Sequence, residues 1–368
     1  MPLNLTPTMT PILVAAGAFS REPFTLLDIG ARGGAKGHWR AFGSDLRFTG
    51  FDADPEEARR LQQNAPPGTT ILPFGLGGRN ETRALHIHYN PSGSSLYVED
   101  PAFLSRMLLG EAAVIVKEQP IELRRLDDIA AEIGDVDFID VDAEGAELEI
   151  IQAGANVISR TETLGVFAEV RFLEGYNTPV FWQTDQLLRQ FGFSIYDLSY
   201  SRESHRALPY PMIGDQRHDI DPDLQIFGPT ISGQIAYGDA LYLRDAVGKK
   251  AALSTTKILK LACLFEIFGQ NDSAAELILA NKSSIERVYD HKKLLDALVP
   301  VVRGTKLLYD EYIDRFFKYD PLLRSVPGGS REEIIAAFRQ LMLQLVRNRR
   351  HQRMLGKLAR FFLGRRLD

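Results

Sequence analysis

Residues 136 to 151 read Val136-Asp137-Phe138-Ile139-Asp140-Val141-Asp142-Ala143-Glu144-Gly145-Ala146-Glu147-Leu148-Glu149-Ile150-Ile151. An apolar, β-rich run ends in a crowd of carboxylates, then a glycine, then a helical pattern. Like charges packed at a strand's end repel one another, so a turn with a purely structural purpose would not choose them. In open α/β sheets ligands bind beyond the carboxyl ends of the strands, which aims Asp142 and Glu144 at such a crevice. Their crowding predicts that at least one carboxyl titrates above its ordinary range. Glu147 and Glu149 also have a simpler reading, as acidic residues in a helix's first turn.

Outward from this segment, short β-rich runs alternate with helical patterns from Phe24 to about Ala246, the layout of a mostly parallel sheet with helices on both faces. Strands are expected at 24–29, 47–52, 70–74, 136–141, 163–170, 193–198 and 240–244, seven in all. Several are apolar without alternation, as in strands buried on both faces. Arg83 to Tyr89 alternates and reads as an extra strand facing solvent. Pro55 to Asn64 reads as a helix, with Pro and two Glu in its first turn. Two long connections, 91–118 and 199–235, are candidate binding loops.

The first strand ends in Leu27-Asp28-Ile29-Gly30-Ala31-Arg32-Gly33-Gly34, an acidic residue followed by a glycine-rich turn expected to lead into a helix. Glycines let backbone approach a ligand closely, and a helix N-terminus adds free amides. The dinucleotide fingerprint G-x-G-x-x-G is absent, because Arg32 stands where its second glycine belongs. The second strand ends in Gly50-Phe51-Asp52-Ala53-Asp54. That places Asp52 about twenty residues past the turn, where Rossmann-like folds hold a ribose.

These motifs resemble the FkbM-type family of class I S-adenosylmethionine-dependent methyltransferases. The resemblance is carried by Asp28-Ile29-Gly30-Ala31-Arg32-Gly33-Gly34, by Asp52 with Asp54-Pro55, by Gly93-Ser94-Ser95-Leu96, by Leu126-Asp127-Asp128-Ile129 and by Asp140-Val141-Asp142-Ala143-Glu144-Gly145-Ala146-Glu147, in order over about residues 24 to 200. It implies a Rossmann-like fold and transfer of a methyl group to a hydroxyl of a sugar, glycolipid or polysaccharide precursor. It also implies that S-adenosylmethionine lies with its methionine end over Asp28, Gly30, Arg32 and Gly34 and its ribose on Asp52. The adenine then falls near Gly75, and Asp142 borders the reacting end. Asp142, Glu144 and Asp140 are the catalytic candidates, Glu169 and Arg171 the substrate contacts. Asp142 and Glu144 suit direct base work or the holding of a divalent cation such as Mg. Arg32 stands for the family's Asn, Ala143 for its Val, and Asp140 for its Lys. That last charge reversal leaves two readings of Asp140, one in the site and one in a plain ion pair. A nicotinamide-dependent oxidoreductase and a non-catalytic binding module remain as alternatives.

His86, His88, His205 and His218 read as surface histidines, and Phe181 and Trp182 as core rather than as a stacking platform. After Val247 the strand signals stop. Helices are expected at 254–268, 272–281, 283–298, 305–318 and 330–363, with Asp272 capping the second and Ser330 with Glu333 forming a capping box on the last. The chain therefore divides into a catalytic part, 1–247, and a basic helical part, 248–368. The net charge of −5 hides this division: residues 248–368 carry 23 Lys and Arg against 13 Asp and Glu, so that part is +10 and the rest −15. Residues 347–368 form a basic amphipathic pattern suited to an anionic membrane surface, a protein partner or the catalytic part itself. No nucleic-acid recognition motif occurs, and a homo-oligomer is left open. The single cysteine, Cys263, excludes an internal disulfide, and the apolar run at 12–19 is too short to span a bilayer. A cytoplasmic protein, with peripheral contact at the inner membrane face through 347–368, is the expectation.

Overall fold

The computed structural model describes residues 3–208, 212–213, 216–217, 233–248, 253–301 and 304–319. The strands are β1 (Phe24–Ile29), β2 (Leu46–Phe51), β3 (Thr69–Leu72), β4 (Gly75–Leu76), β5 (Glu81–His88), β6 (Ile115–Arg124), β7 (Phe138–Val141), β8 (Gly165–Arg171), β9 (Phe193–Glu203), β10 (Met212–Ile213), β11 (Gln216–Arg217) and β12 (Gln234–Arg244). Seven of them form one sheet in the order β3-β2-β1-β7-β8-β12-β9. β1, β2, β3, β7 and β8 pair in parallel, whereas β12 runs antiparallel between β8 and β9. The order reverses between β1 and β7, and a crevice for a ligand opens at such a switch point.

Strand alternation sorts the central side chains onto two faces. Leu27, Ile29, Ile139, Val141, Val166 and Ala168 join Ile150, Val157 and Leu188 from the helices Glu147–Ala153, Ala155–Arg160 and Phe181–Gln190 in one core. On the other face Phe138 and Phe167 meet Trp39 and Phe268. A three-stranded sheet, β4-β6-β5, stands beside the main one. Its β5 is the expected extra strand. Its partner β6 begins inside the end of the loop expected at 91–118 and runs on past it, unmarked in the sequence because Lys117, Glu118 and Gln119 give β6 little apolar alternation.

Two compact units divide between Leu294 and Leu295. The first therefore contains the helix Thr255–Ile267, which the sequence places beyond residue 247 in the basic part. Lys257 Nζ lies 2.8 Å from Asp137 Oδ1, and Lys260 Nζ lies 2.8 Å from Asp137 Oδ2, with all three side chains buried at the foot of β7. Glu266 of the same helix accepts from the Thr8, Met9 and Thr10 N–H groups at 2.7 Å, capping the helix Met9–Ala15. Neither long-range partnership is visible in local sequence.

The helix expected at 283–298 is two, Lys282–Ile285 and His291–Leu298, with Asp290 accepting from the Lys292 N–H at 3.0 Å to start the second. Asp272 is not a cap, since the helix begins at Asn271 with Gln270 before it. Ser330, His218 and the segment 347–368 lie outside the described residues. Among the described residues no helix is long and apolar enough to cross a membrane.

Candidate active site

The parallel register places Asp28 beside Asp140 and Asp140 beside Phe167, so period-two alternation carries one face of β1, β7 and β8 upward into a carboxylate cluster. Asp28 and Asp140 are buried. Burial first, and then the charge of Asp140, push the Asp28 carboxyl up to about 8 despite the pull of Lys36. The same desolvation raises Asp140 and Asp142. Asp142 is nevertheless exposed to water.

Gly30, with φ of +90°, makes the turn after β1 close on β7. A Cβ there would stand 2.0 Å from the Asp142 carbonyl oxygen. Gly33 and Gly34 also have positive φ, at +92° and +76°, but a Cβ on either would meet nothing within 4 Å. The turn is thus tight at its base and open at its crest. The helix expected after it is replaced by a 3-10 segment, Gly37–Asp45, broken at Gly43. Glycines at 33, 34, 37 and 43 cost an α-helix too much backbone entropy. The aligned amides of an α-helix N-terminus are therefore missing, and a side chain stands there in their place. Lys36 Nζ lies 2.8 Å from Asp140 Oδ2 and 5.3 Å from the centre of the Phe167 ring. Burial pulls its ammonium down, but Asp140, Asp28 and Asp142 outweigh that and raise it. The two readings of Asp140 thus coincide: it is ion-paired, and it is in the site. The positive charge missing from β7 returns from the glycine turn.

Asp52 stands at the end of β2, where its Oδ1 accepts from the Asp54 N–H at 2.9 Å. Burial raises its carboxyl, against the pull of that Asp54 hydrogen bond and of the nearby Arg32 charge. Asp54 caps the helix Pro55–Gln63. Gly75 lies in β4, and a Cβ on it would come 2.8 Å from Leu123 and 3.5 Å from Ala53, so its small size has a packing reason.

Beyond β7 the chain turns sharply through Glu144, at φ of +51°, and Gly145, at +110°, where a Cβ would strike Thr178 at 2.3 Å. Glu147 folds back to accept from the Ala143 and Gly145 N–H groups at 2.8 and 3.1 Å, so its role is to hold this turn. Glu144 pairs with Arg171 from β8, whose Nη2 is also 2.9 Å from Glu169 Oε2. Desolvation lifts Glu144 to about 7 and Glu169 well above the carboxylate range, against the opposing pull of Arg171. Oxygens of Asp142, Glu144 and Glu169 lie within 4.8 Å of one another. Asp239 on β12 pairs in register with Glu169, and Tyr237 with Arg171; the Arg171 guanidinium lies 5.1 and 5.4 Å from the Tyr176 and Tyr237 rings.

Local sequence did not single out Lys36, Tyr176, Tyr237 or Asp239. Only Lys36 carried a signal, as the second cation after Arg32 in a glycine turn flanked by acidic strand ends. His88 is a correction: it is 2% exposed, with Nε2 3.5 Å from Glu99, because β6 and the Gly93–Leu96 turn cover it. Its imidazole is held low, mainly by burial. Trp182 is the opposite case, 61% exposed on the outer side of its helix, while Phe181 packs on Phe172.

A sheet with this strand order, a glycine turn after β1 and carboxylates at the ends of β1, β2 and β7 is that of a Rossmann-like, class I methyltransferase. Residues 28–195 match the family model described as the methyltransferase FkbM domain. The chain carries an FkbM-type methyltransferase domain and is an S-adenosylmethionine-dependent methyltransferase. No curated protein matches it. Solved structures similar to it include the fibrillarin/Nop5p complex, at 11% identity over 61% of this chain and 73% of that one, with a TM-score of 0.29. Magnesium protoporphyrin IX methyltransferase from Synechocystis PCC 6803 with bound S-adenosylmethionine is 10% identical over 65% and 78%, TM-score 0.28. Precorrin-6y C5,15-methyltransferase from Geobacter metallireducens GS-15 is 10% identical over 64% and 86%, TM-score 0.29. Scores this low add nothing to the domain match.

Proposed function

We propose that the protein transfers the methyl group of S-adenosylmethionine to a hydroxyl of a sugar, glycolipid or polysaccharide precursor. The observation that carries this reading is the polar cluster at the ends of β7 and β8. There an open carboxylate, Asp142, adjoins the ion-paired set Glu144, Arg171 and Glu169. S-adenosylmethionine supplies an activated methyl on a sulfonium centre. The chain's own work is to hold a hydroxyl in line and remove its proton. Among the three carboxylates only Asp142 makes no salt bridge among the described residues, and desolvation makes it a stronger base than a free aspartate. Glu144 and Glu169 offer acceptors, and Arg171 donors, to a hydroxylated ligand beside two aromatic rings. Arg171 pairs with two of the three carboxylates, so it supplies part of the positive charge that a divalent cation such as Mg would otherwise bring. Asp28, Gly30, Arg32 and Gly34 border the methionine end, with Asp52 at the ribose and Gly75 on the adenine side.

The test is transfer of labelled methyl from S-adenosylmethionine to nucleotide sugars, oligosaccharides and glycolipids. Asp142→Asn is expected to lower turnover at least ~100-fold, the usual span of a general base, while cofactor affinity measured by calorimetry stays intact. Wild-type turnover in Asp142→Asn would refute the base assignment. Label found on amines or carboxylates would refute the hydroxyl acceptor.

A further inference from the structure

Lys36 belongs neither to the fold nor to the acceptor cluster. It is 46% exposed, so packing does not require it, yet its ammonium reaches in to a buried carboxylate. Asp140 uses only one oxygen in that pair. Its Oδ1 is buried and has no hydrogen-bond partner among the described residues. Asp28, its register neighbour, is 5% exposed in the same field. Beside this half-satisfied cluster lies the open crest of the turn at Gly33 and Gly34, where backbone leaves room for a ligand. The helix N-terminus that would ordinarily meet an anion here is absent. One cation on a short, glycine-flanked tether and buried acidic oxygens with spare capacity make two sites of opposite sign a few ångströms apart. That pattern matches a zwitterion, the α-amino-acid end of a ligand.

We propose that Lys36 with Asp28 and Asp140 is a clamp for the amino-acid end of the cofactor, in which Lys36 swings from Asp140 to the ligand's α-carboxylate while Asp28 and the freed Asp140 take its α-ammonium. Resting on the cofactor reading above, this assigns the carboxylate subsite to a side chain peculiar to this glycine turn. The Lys36–Asp140 pair is then the clamp's resting arrangement. It stores the ammonium where it is needed and keeps two buried carboxylates from facing each other uncompensated.

S-adenosylmethionine and decarboxylated S-adenosylmethionine separate the clamp from everything else, since both carry the adenosine, the sulfonium and the ammonium and differ only in the carboxylate. Calorimetry on the full chain is expected to show the wild type preferring S-adenosylmethionine at least ~10-fold, the scale of one charge-assisted hydrogen bond. Lys36→Met should bring that ratio near one, with the thermal midpoint recorded to show that the variant is folded. Lys36→Arg should keep most of it. A preference that survives in Lys36→Met overturns the clamp while leaving the cofactor reading intact. Binding of neither ligand by the wild type overturns that reading and the clamp with it.

Discussion

Asp28 offers the sharpest test of the cluster's energetics, because binding and folding pull on it in opposite directions. Its carboxyl titrates near 8 in the folded protein against 3.8 for an ordinary aspartate, with burial as the main cause and Asp140 as the second. A native carboxyl with a raised pKa binds more protons than the unfolded one between those two values. Stability therefore falls as pH rises from about 4 to about 8, the reverse of a salt-bridged aspartate. At ~1.4 kcal/mol per tenfold, the whole rise corresponds to roughly 6 kcal/mol above pH 8. Asp140 and Lys36 share that field, so Asp28→Asn, which relieves Asp28 alone, is expected to recover about half, ~2–3 kcal/mol. The assay is urea unfolding of both proteins at pH 5, 7 and 8.5 without cofactor. The variant should be the more stable one, by a margin that widens with pH, and should bind S-adenosylmethionine at least ~10-fold more weakly. A margin that is zero at pH 8.5, or equal at pH 5 and 8.5, would refute the argument that burial rather than a hydrogen bond governs this residue.

Two further outcomes follow from the packing. Asp137→Asn leaves the Lys257 and Lys260 ammonium groups buried without their shared carboxylate, and should cost about 3–5 kcal/mol in chemical denaturation; a loss under ~1 kcal/mol would mean that the backbone carbonyls of Thr161 and Pro23, with the Glu22 carboxylate 3.2 Å from Lys260, suffice. Gly30→Ala combines positive φ with a 2.0 Å clash against the Asp142 carbonyl and should lose several kcal/mol along with cofactor binding, whereas Gly33→Ala meets open space and should lose only ~1 kcal/mol. Equal losses at the two glycines, measured by thermal unfolding, would show that the turn is not closed against β7.

Much of the fold was legible because buried parallel strands write themselves as short apolar runs. β1, β2, β3, β7 and β8 each fall within two residues of where such runs end. β12 is six residues longer than its apolar portion, since Gln234 to Asp239 pair with β9 through backbone that side-chain character does not report. β6 was hidden by the charged face it turns outward. The carboxylates of the site were legible for a related reason. Asp28, Asp52 and Asp142 each stand at or just past the end of an apolar strand, and such placement has little structural use.

The sequence alone determined the alternation of strands and helices, the glycine turn, and the acidic strand ends, because these follow from local propensity, period and charge repulsion. Only the tertiary structure decided who pairs with whom. Register set Asp28 beside Asp140 across two strands more than a hundred residues apart, and brought Lys36 to answer the charge reversal at Asp140. It sent Arg171 between Glu144 and Glu169, leaving Asp142 without a salt bridge among the described residues, and seated Lys257 and Lys260 on Asp137, so that a helix of the basic part belongs to the first compact unit. A charge in the sequence has only a sign. Its partner is chosen by which strands lie side by side, and its protonation by how much water the packing leaves.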